Sequence, residues 1–252
     1  MKHLSKSVVA VVLLMAFSSL AQDMNSEAGK LYNDGNGLLK AGNYQGAIEK
    51  YNSALSVEKD YRIYYQLGVA QKKAGNLQGA KSSFEECIKL NDGFEGGHNA
   101  LGGVYFSKAD YNQAIIEFEK VLKLTDKSNV TKKVQKNLSL AYTKLSSEEI
   151  SNGNSAKAIE YLNKAVGYDN YDAAYLSLAK TYSDIGEWDK SISASENALK
   201  YKSKITSGGP YFYMGIAYKG KGENEKAKEM FQKAKTDAAY KKTAEYELSL
   251  LN

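Results

Sequence analysis

The segment Gly42-Asn43-Tyr44-Gln45-Gly46-Ala47-Ile48 recurs with small changes along this chain of 252 residues. The later copies begin at Gly75, Ala109, Gly153, Gly186 and Gly222. The first three copies start 33 and 34 residues apart, and this self-similarity is the dominant signal in the sequence. A period of this size is typical of repeat proteins, so six copies predict six similar structural units that stack on one another.

Each copy lies between two segments with helical spacing of apolar residues. Residues 64–70 precede the second copy, and residues 114–122 continue from the third. Glycine at the start of the copy suits a helix end, because a positive φ costs glycine little. The following residue can cap the next helix at Asn43, Asn76, Asp110 and Asn154. Each unit is therefore predicted to be a helix–turn–helix pair.

Small residues recur at fixed positions in both helices of the unit. In the first helix they are Gly35, Gly68, Gly102, Ser139, Ala179 and Gly215. In the second helix they are Ala47, Ala80, Ala114, Ala158, Ser191 and Ala227, and later Ala54, Cys87, Val121, Ala165, Ala198 and Ala234. Large residues stand between them at Tyr51, Phe84, Phe118, Leu162 and Phe231, and at Tyr105, Tyr142, Tyr182 and Tyr218. Small residues that face large ones are what closely packed antiparallel helices require.

This register of small and large residues resembles the tetratricopeptide repeat, and the resemblance covers nearly all of residues 22–252. It implies an all-α fold, a right-handed superhelical solenoid of about six helix–turn–helix repeats plus a C-terminal capping helix. The predicted repeats span approximately 28–60, 61–94, 95–128, 129–171, 172–207 and 208–236, and the capping helix spans 237–251. The proline that commonly ends the second helix in this family is absent, which predicts less rigid turns between repeats.

The fourth and fifth repeats depart from the regular period. About seven residues are added between Ser139 and Ala158, and we predict that residues 146–152 extend the first helix by two turns. This extension could be a solvated overhang or a docking feature. In the fifth repeat, Ser195 replaces an aromatic residue or leucine, which predicts loose packing. The linker at residues 202–210 is longer and contains two adjacent glycines, so we predict a bending point there.

Residues 1–21 have the features of a cleaved secretory signal peptide. Two lysines precede an apolar run at residues 8–17, and Ser19 and Ala21 are small residues where signal peptidase requires them. An uncleaved anchor is the alternative, but the run is shorter than the roughly 20 residues that span a bilayer. No cysteine lies near the junction for lipid attachment. We therefore expect residues 22–252 to form a soluble, exported bacterial protein without a membrane span, periplasmic or secreted.

The composition disfavours catalysis, metal binding and nucleic-acid binding. Lys and Arg number 34 against 29 Asp and Glu, and only Arg62 offers the forked side chain that usually recognises phosphates and bases. One cysteine and two histidines provide too few ligands for a metal site. We expect His98 to be a satisfied packing residue and Cys87 a small buried residue. Solvated helix surface is expected at the carboxylate pairs Glu85-Glu86 and Glu148-Glu149. The sequence thus predicts no enzyme, no metal and no cofactor.

In the family that the chain resembles, the first helices line a concave groove that binds extended peptides or partner helices. Residues that point away from the packing faces form the predicted partner-binding groove: Tyr32, Asn36, Lys40, Tyr65, Val69, Lys72, Asn99, Phe106, Lys136, Leu140, Lys144, Lys180, Phe212 and Lys219. Aromatic and basic side chains suit a segment with carboxylates and a few apolar anchors. We therefore predict a non-catalytic protein–protein interaction scaffold or adaptor of the bacterial cell envelope that binds an acidic protein or peptide.

Other interpretations of the groove remain open. A glycan or cell-wall polymer could bind its aromatic side chains. A carboxylate clamp for the C-terminal tail of a chaperone is disfavoured, because Asn36 fits the required lysine and asparagine pattern but Tyr32 and Gly96 do not. The sequence does not decide the oligomeric state, or whether the groove, the convex face or the extension in the fourth repeat binds the partner.

Overall fold

The computed structural model describes residues 24–251, so the predicted signal peptide lies outside the described residues. Within them the chain forms thirteen α-helices and no β-strand. The first helices of the six pairs are α1 (Ser26–Lys40), α3 (Tyr61–Lys73), α5 (Glu95–Ser107), α7 (Ser128–Ser151), α9 (Asp172–Asp184) and α11 (Gly208–Gly220). The second helices are α2 (Tyr44–Val57), α4 (Leu77–Leu90), α6 (Tyr111–Leu124), α8 (Ser155–Tyr168), α10 (Trp188–Lys200) and α12 (Asn224–Ala234). The last helix is α13 (Lys241–Ser249).

The pairs stack in chain order. Each first helix packs on its own second helix, and each second helix packs on the first helix of the next pair. This arrangement is the predicted right-handed all-α solenoid. Between residues 24 and 251, none of the helices is long and apolar enough to cross a membrane.

The turns inside the pairs follow the predicted glycine chemistry. A positive φ, between +77° and +83°, occurs at Gly42, Gly75, Gly153, Gly186 and Gly222. Ala109 takes the same place in the third pair with a φ of +60°, which strains a residue that has a Cβ. The predicted caps are confirmed at Asn43, Asn76 and Asp110. The prediction for Asn154 is wrong, because its Nδ2 donates to Glu149 Oε2 at 2.8 Å and its side chain does not cap α8.

In four of the pairs, an aromatic ring of the second helix lies directly on the backbone of the first. A Cβ placed on Gly68 would lie 2.6 Å from Cε1 of Phe84, much closer than two carbon atoms can approach without repulsion. The same contact joins Gly35 to Tyr51, Gly102 to Phe118, and Gly215 to Phe231. The four rings are 0–2% exposed. The predicted small and large positions therefore face each other in these pairs.

The fifth pair packs without such a ring. Ala179 and Ser195 occupy the equivalent small and large positions, and both are fully buried. The Ser191 hydroxyl donates to the carbonyl oxygen of Ala179 at 2.8 Å, whereas Ser195 Oγ has no hydrogen-bond partner among the described residues. A surface pocket of about 230 Å³ opens beside this pair, between α8, α9 and α10. These features fit the predicted loose packing.

The helix α7 has 24 residues and packs against its neighbours in two registers. Toward the third repeat, the Tyr142 hydroxyl donates to Glu119 of α6, as the Tyr105 hydroxyl donates to Glu85 one repeat earlier. Both tyrosines follow the predicted small residue of their helix by three positions. In the contact between α7 and α6, Ser139 therefore occupies the small-residue position predicted for the first helix of the fourth repeat.

In the contact between α7 and its own partner α8, the small-residue position lies seven residues later than in the contact between α7 and α6. Tyr142 stacks on Tyr168 with ring centroids 5.9 Å apart, as Tyr175 stacks on Tyr201 at 5.7 Å in the fifth pair. Tyr175 precedes the small residue of its helix by four positions, so the equivalent residue of α7 is Ser146, which is fully buried. The predicted two-turn extension of α7 is confirmed, since the helix continues to Ser151. Ser146 is buried, whereas most of the residues that follow it in the extension are exposed. The added two turns, roughly 10 Å of helix, separate two packing surfaces and offset the later repeats from the earlier ones.

The linker before the sixth repeat is anchored at both ends. Asp172 Oδ2 accepts hydrogen bonds of 2.6–3.1 Å from the backbone N–H groups of Ser203, Lys204 and Ile205. The N–H of Gly208 donates to Asp237 Oδ2 at 3.2 Å. A Cβ on Gly209 would lie 2.8 Å from the Tyr240 hydroxyl oxygen. The two glycines thus permit close packing against the C-terminal residues, and these contacts argue against the predicted bending point.

The capping helix α13 starts at Lys241, four residues later than predicted. Asp237 accepts the N–H groups of Gly208 and Ala239, which holds the preceding residues in a turn. The buried residues Ala244 and Leu248 pack against the apolar end of α12. The short helix therefore covers the last apolar surface of the solenoid.

We expect Gly68→Ala to lower the free energy of unfolding by about 1–2 kcal/mol, although alanine is the better helix former. The cause is Phe84, which is 1% exposed and has no space to move away from the new methyl group. Gly37→Ala is the matched control, because its Cβ would have no neighbour within 4 Å. This control should gain roughly 0.5–1 kcal/mol. Urea unfolding measures both, and a Gly68→Ala variant as stable as the wild type would contradict the ring contact.

We expect Asp172→Asn to lower the free energy of unfolding by about 2 kcal/mol at neutral pH. Burial alone would raise the pKa of Asp172, but the N–H groups of Lys204, Ser203 and Ile205 outweigh it and lower the pKa from 3.8 to about 2. A lowered folded-state pKa stabilises the fold above pH 3.8, and this contribution is lost as the pH falls toward 2. Unfolding curves at several pH values should therefore converge for variant and wild type at low pH. Asp184→Asn, at an exposed carboxylate, is the control and should change little.

Candidate partner-binding site

A pocket of about 290 Å³ lies where α3, α5 and α7 come together. Its lining residues are Lys72, Gly103, Phe106, Ser107, Phe118, Asn137 and Leu140. Three of the predicted groove residues, Lys72, Phe106 and Leu140, therefore meet around one cavity. They come from three successive first helices, which is the arrangement expected for a concave surface of the solenoid.

Lys72 supplies a positive charge to this pocket that nothing in the described chain neutralises. Its side chain makes no hydrogen bond or ion pair with a described residue. A Cβ on Gly103 would lie 3.1 Å from Lys72 Nζ, so the ammonium group lies over the backbone of α5. Desolvation by the surrounding protein lowers the pKa of Lys72, and no charged neighbour contributes to the shift. The Lys72 side chain is exposed, so a ligand could reach it.

The other walls of the pocket combine apolar side chains with the Ser107 hydroxyl, which donates to the Gly103 carbonyl oxygen, and one free amide. The Phe106 ring packs edge-on against Tyr111 with centroids 5.3 Å apart, and Leu140 is half-buried. The Asn137 side chain makes no hydrogen bond to a described residue. Lys136 and Lys144 lie one turn to either side of Leu140 on α7, and both are exposed. Neither makes an ion pair within residues 24–251.

The N-terminal groove residues are largely engaged within the protein. Asn36 Oδ1 accepts the Tyr51 hydroxyl at 2.7 Å, and Tyr32 packs against the same ring. Tyr65 packs edge-on against Phe94 with centroids 5.1 Å apart. Two further residues, Val69 and Asn99, are partly buried, and Asn99 Oδ1 has no hydrogen-bond partner among the described residues. Lys40 is exposed at the end of α1.

The C-terminal groove residues are separate from the pocket, and the capping segment engages two of them. The Phe212 ring lies 5.6 Å from the Tyr240 ring, and Lys219 Nζ lies 2.7 Å from Glu247 Oε2 of α13. The chain itself thus covers Phe212 and neutralises Lys219. Lys180 is exposed and has no ion-pair partner in the described part of the chain.

Sequence reasoning missed three residues that line the pocket, Gly103, Ser107 and Asn137, and assigned Phe118 only to the packing core. Gly103 follows the small residue Gly102, and two adjacent glycines inside a helix are unfavourable enough to signal a close approach. Asn137 gave no comparable signal. It lies in the part of α7 whose register depends on its contacts with neighbouring helices.

The candidate residues His98 and Cys87 are both fully buried. His98 is fully buried, with Nδ1 2.6 Å from Glu117 Oε2 and Nε2 2.9 Å from the Asp92 carbonyl oxygen. Both ring nitrogens therefore contact oxygen atoms, which fits the predicted packing role. Burial raises the pKa of the Cys87 thiol to about 12, which disfavours the reactive thiolate. Within residues 24–251, no group of three or more His, Cys, Asp or Glu side chains could hold a metal ion.

Comparison with known proteins identifies the repeats. A family model described as Tetratricopeptide repeat matches residues 61–93, 97–128 and 140–172. A second model with the same description matches residues 211–238. The third match starts six residues before Ser146, in agreement with the register of α7 against α8.

Relatives and solved structures agree with this match. The TPR repeat-containing protein MJ1428 of Methanocaldococcus jannaschii is 25% identical over 235 residues, which are 85% of this chain and 39% of that protein. The Hsp70-Hsp90 organizing protein of Triticum aestivum is 31% identical over 90 residues, 35% of this chain and 16% of that protein. This chain therefore spans less than half the length of these relatives.

A crystal structure of MamA protein is similar at 28% identity, with a TM-score of 0.50 over 75% of this chain and 96% of that one. The repeated helix pairs, their glycine turns, the ring contacts and the family matches all agree. The chain belongs to the tetratricopeptide repeat family.

Proposed function

We propose that the chain is a non-catalytic protein-interaction scaffold that binds an acidic segment of its partner in the concave groove of α3, α5 and α7. Family membership supports the general role, and one relative is itself named an organizing protein. The observation that carries the proposal is the unpaired Lys72 ammonium group in a pocket with apolar walls.

The charges around the pocket favour an acidic partner. Three groove lysines, Lys72, Lys136 and Lys144, have no carboxylate partner within the described chain. Many other lysines of the protein already pair with acids, as Lys219 does with Glu247. A carboxylate that enters the groove would gain attraction without displacing an existing ion pair.

The apolar side chains of the pocket provide the contact area that charge alone does not. Phe106 and Leu140 face the same cavity as Lys72. Buried aromatic and aliphatic anchors supply most of the binding energy of protein interfaces, whereas exposed charges mainly steer association. An acidic segment that also presents an apolar group to the pocket therefore fits this surface.

We propose further that the scaffold works outside the cytoplasm, in the cell envelope or as a secreted protein. The support is the segment at residues 1–21, with its basic start, its apolar run and its small residues at the end. The absence of any cysteine beside this junction favours release over lipid attachment.

We expect the double variant Lys72→Met with Phe106→Ala to reduce partner capture from an envelope extract at least about 30-fold, as loss of about 2 kcal/mol predicts. Lys73→Met with Tyr44→Ala is the matched control, because Lys73 lies over the Tyr44 ring and outside the pocket. Quantitative mass spectrometry of the captured proteins measures the effect, and circular dichroism checks that both variants keep their helix content.

Two outcomes would contradict this assignment. Equal capture by both double variants would move the interface to another surface, such as the convex face. Retention of cell-wall polysaccharide in place of any protein would favour glycan binding, the alternative use of an aromatic groove.

We expect the exported protein to begin at Gln22. N-terminal sequencing of the periplasmic or secreted fraction measures this directly. The variant Leu13→Arg places a charge in the apolar run and should leave the full-length chain in the cytoplasm, because charges there block membrane insertion. Export of Leu13→Arg at wild-type levels, or a wild-type chain that stays uncleaved in the cytoplasm, would reject the signal peptide.

A further inference from the structure

The third repeat differs from the others at one position of its first helix. The residue that follows the small position of the first helix is Gly103 in this repeat. The other first helices carry Asn36, Val69, Leu140, Lys180 and Ile216 after the small residues predicted from the sequence. A side chain on residue 103 would occupy the space beneath Lys72, since even a Cβ would lie 3.1 Å from Nζ. Gly103 therefore leaves this part of the groove open.

Charge and apolar surface lie close together in this pocket. A cavity of about 290 Å³ has Lys72 on one wall and Phe106 and Leu140 on others. The free amide of Asn137 adds a hydrogen-bond donor and an acceptor. The cavity is at the lower end of the volumes of small-molecule sites, about 300 Å³, so it suits one compact group.

We propose that this pocket binds a monocarboxylate with an apolar body about as large as a leucine side chain. The carboxylate contacts the Lys72 ammonium group, and the apolar body lies between Phe106 and Leu140. This inference rests on the proposed function only in placing the binding surface at α3, α5 and α7.

The geometry favours a carboxylate and an apolar group on the same residue or molecule. In an extended segment, neighbouring side chains point to opposite faces, and side chains two positions apart are separated by roughly 6.6 Å. An internal acidic residue would therefore send its apolar neighbour away from the pocket. A chain-terminal apolar residue, or a free organic acid, carries both groups on adjoining atoms.

This site differs from the carboxylate clamp considered from the sequence. That clamp would use the first-helix positions of Tyr32, Asn36 and Gly96, of which only Asn36 has a suitable side chain. Asn36 is already bound to the Tyr51 hydroxyl. Lys72 instead lies in the last turn of α3, and its neighbours in the pocket come from α5 and α7.

The test is an NMR titration of residues 22–252 with N-acetyl-L-leucine. We expect concentration-dependent shifts of the Gly103 and Leu140 amide signals and an upward shift of the Lys72 pKa, because a bound carboxylate favours the ammonium form. N-acetyl-L-leucinamide lacks the charge and acetate lacks the apolar body, so each should bind at least about tenfold more weakly. Lys72→Met should lose the response, whereas Lys73→Met should keep it.

Gly103→Leu provides a second, independent variant. Leucine is a better helix former than glycine and should fill the pocket without unfolding α5. Binding of N-acetyl-L-leucine should be lost while the remaining spectrum is retained. If Gly103→Leu binds as the wild type does, the ligand lies elsewhere and the proposal fails.

Two further probes distinguish the sources of the carboxylate. Hexanoate represents a free acid, and the peptide Gly-Ser-Gly-Leu with a free C-terminus represents a chain end. Preference for either one over its amide supports the pocket and identifies the source. Absence of any pocket shift at millimolar concentration, or equal binding of acids and amides, overturns the inference. In that case Lys72-dependent partner capture would still support the proposed function, so the two failures are distinguishable.

Discussion

The contact between a buried aromatic ring and the bare backbone of a glycine holds most of the helix pairs together. At Gly68 and Phe84, the ring occupies the place of a Cβ, so the two helices approach more closely than side chains would allow. The same contact in the first, third and sixth pairs gives them a common spacing. Since each pair presents a similar surface to the next, repetition of this contact produces the stack.

The surface formed by the first helices differs from repeat to repeat where this regular packing changes. In the third repeat, a second glycine at Gly103 opens a pocket beneath Lys72. In the fourth, α7 is long enough to contact α6 and α8 in different registers, so Leu140 reaches the pocket from the part of α7 that packs on the third repeat. In the sixth, α13 binds Lys219 and removes its charge from the surface. Lys72, Phe106 and Leu140 thus lie together in the middle of the solenoid, and Lys72 has no ion-pair partner among the described residues.

Helix periodicity brought three of the predicted groove residues to one place. Lys72, Phe106 and Leu140 were predicted from the outward faces of the first helices, and they meet in one pocket. Leu140 lines this pocket although the register of α7 changes after it, because seven residues are nearly two full turns and leave the same face outward. Phe212 and Lys219 follow the same periodicity, but residues distant in the sequence cover them. No local pattern contains that information.

The sequence alone determined the number of repeats, the all-α class, the glycine turns and the pairing of small with large residues, because these depend on neighbours a few turns apart. The tertiary structure decided where the extra turns of α7 lie, whether the linker before α11 bends, and which groove residues stay free. Asp172 illustrates the reason: its carboxylate anchors N–H groups more than thirty residues away. Such contacts form between surfaces that exist only once the helices have packed.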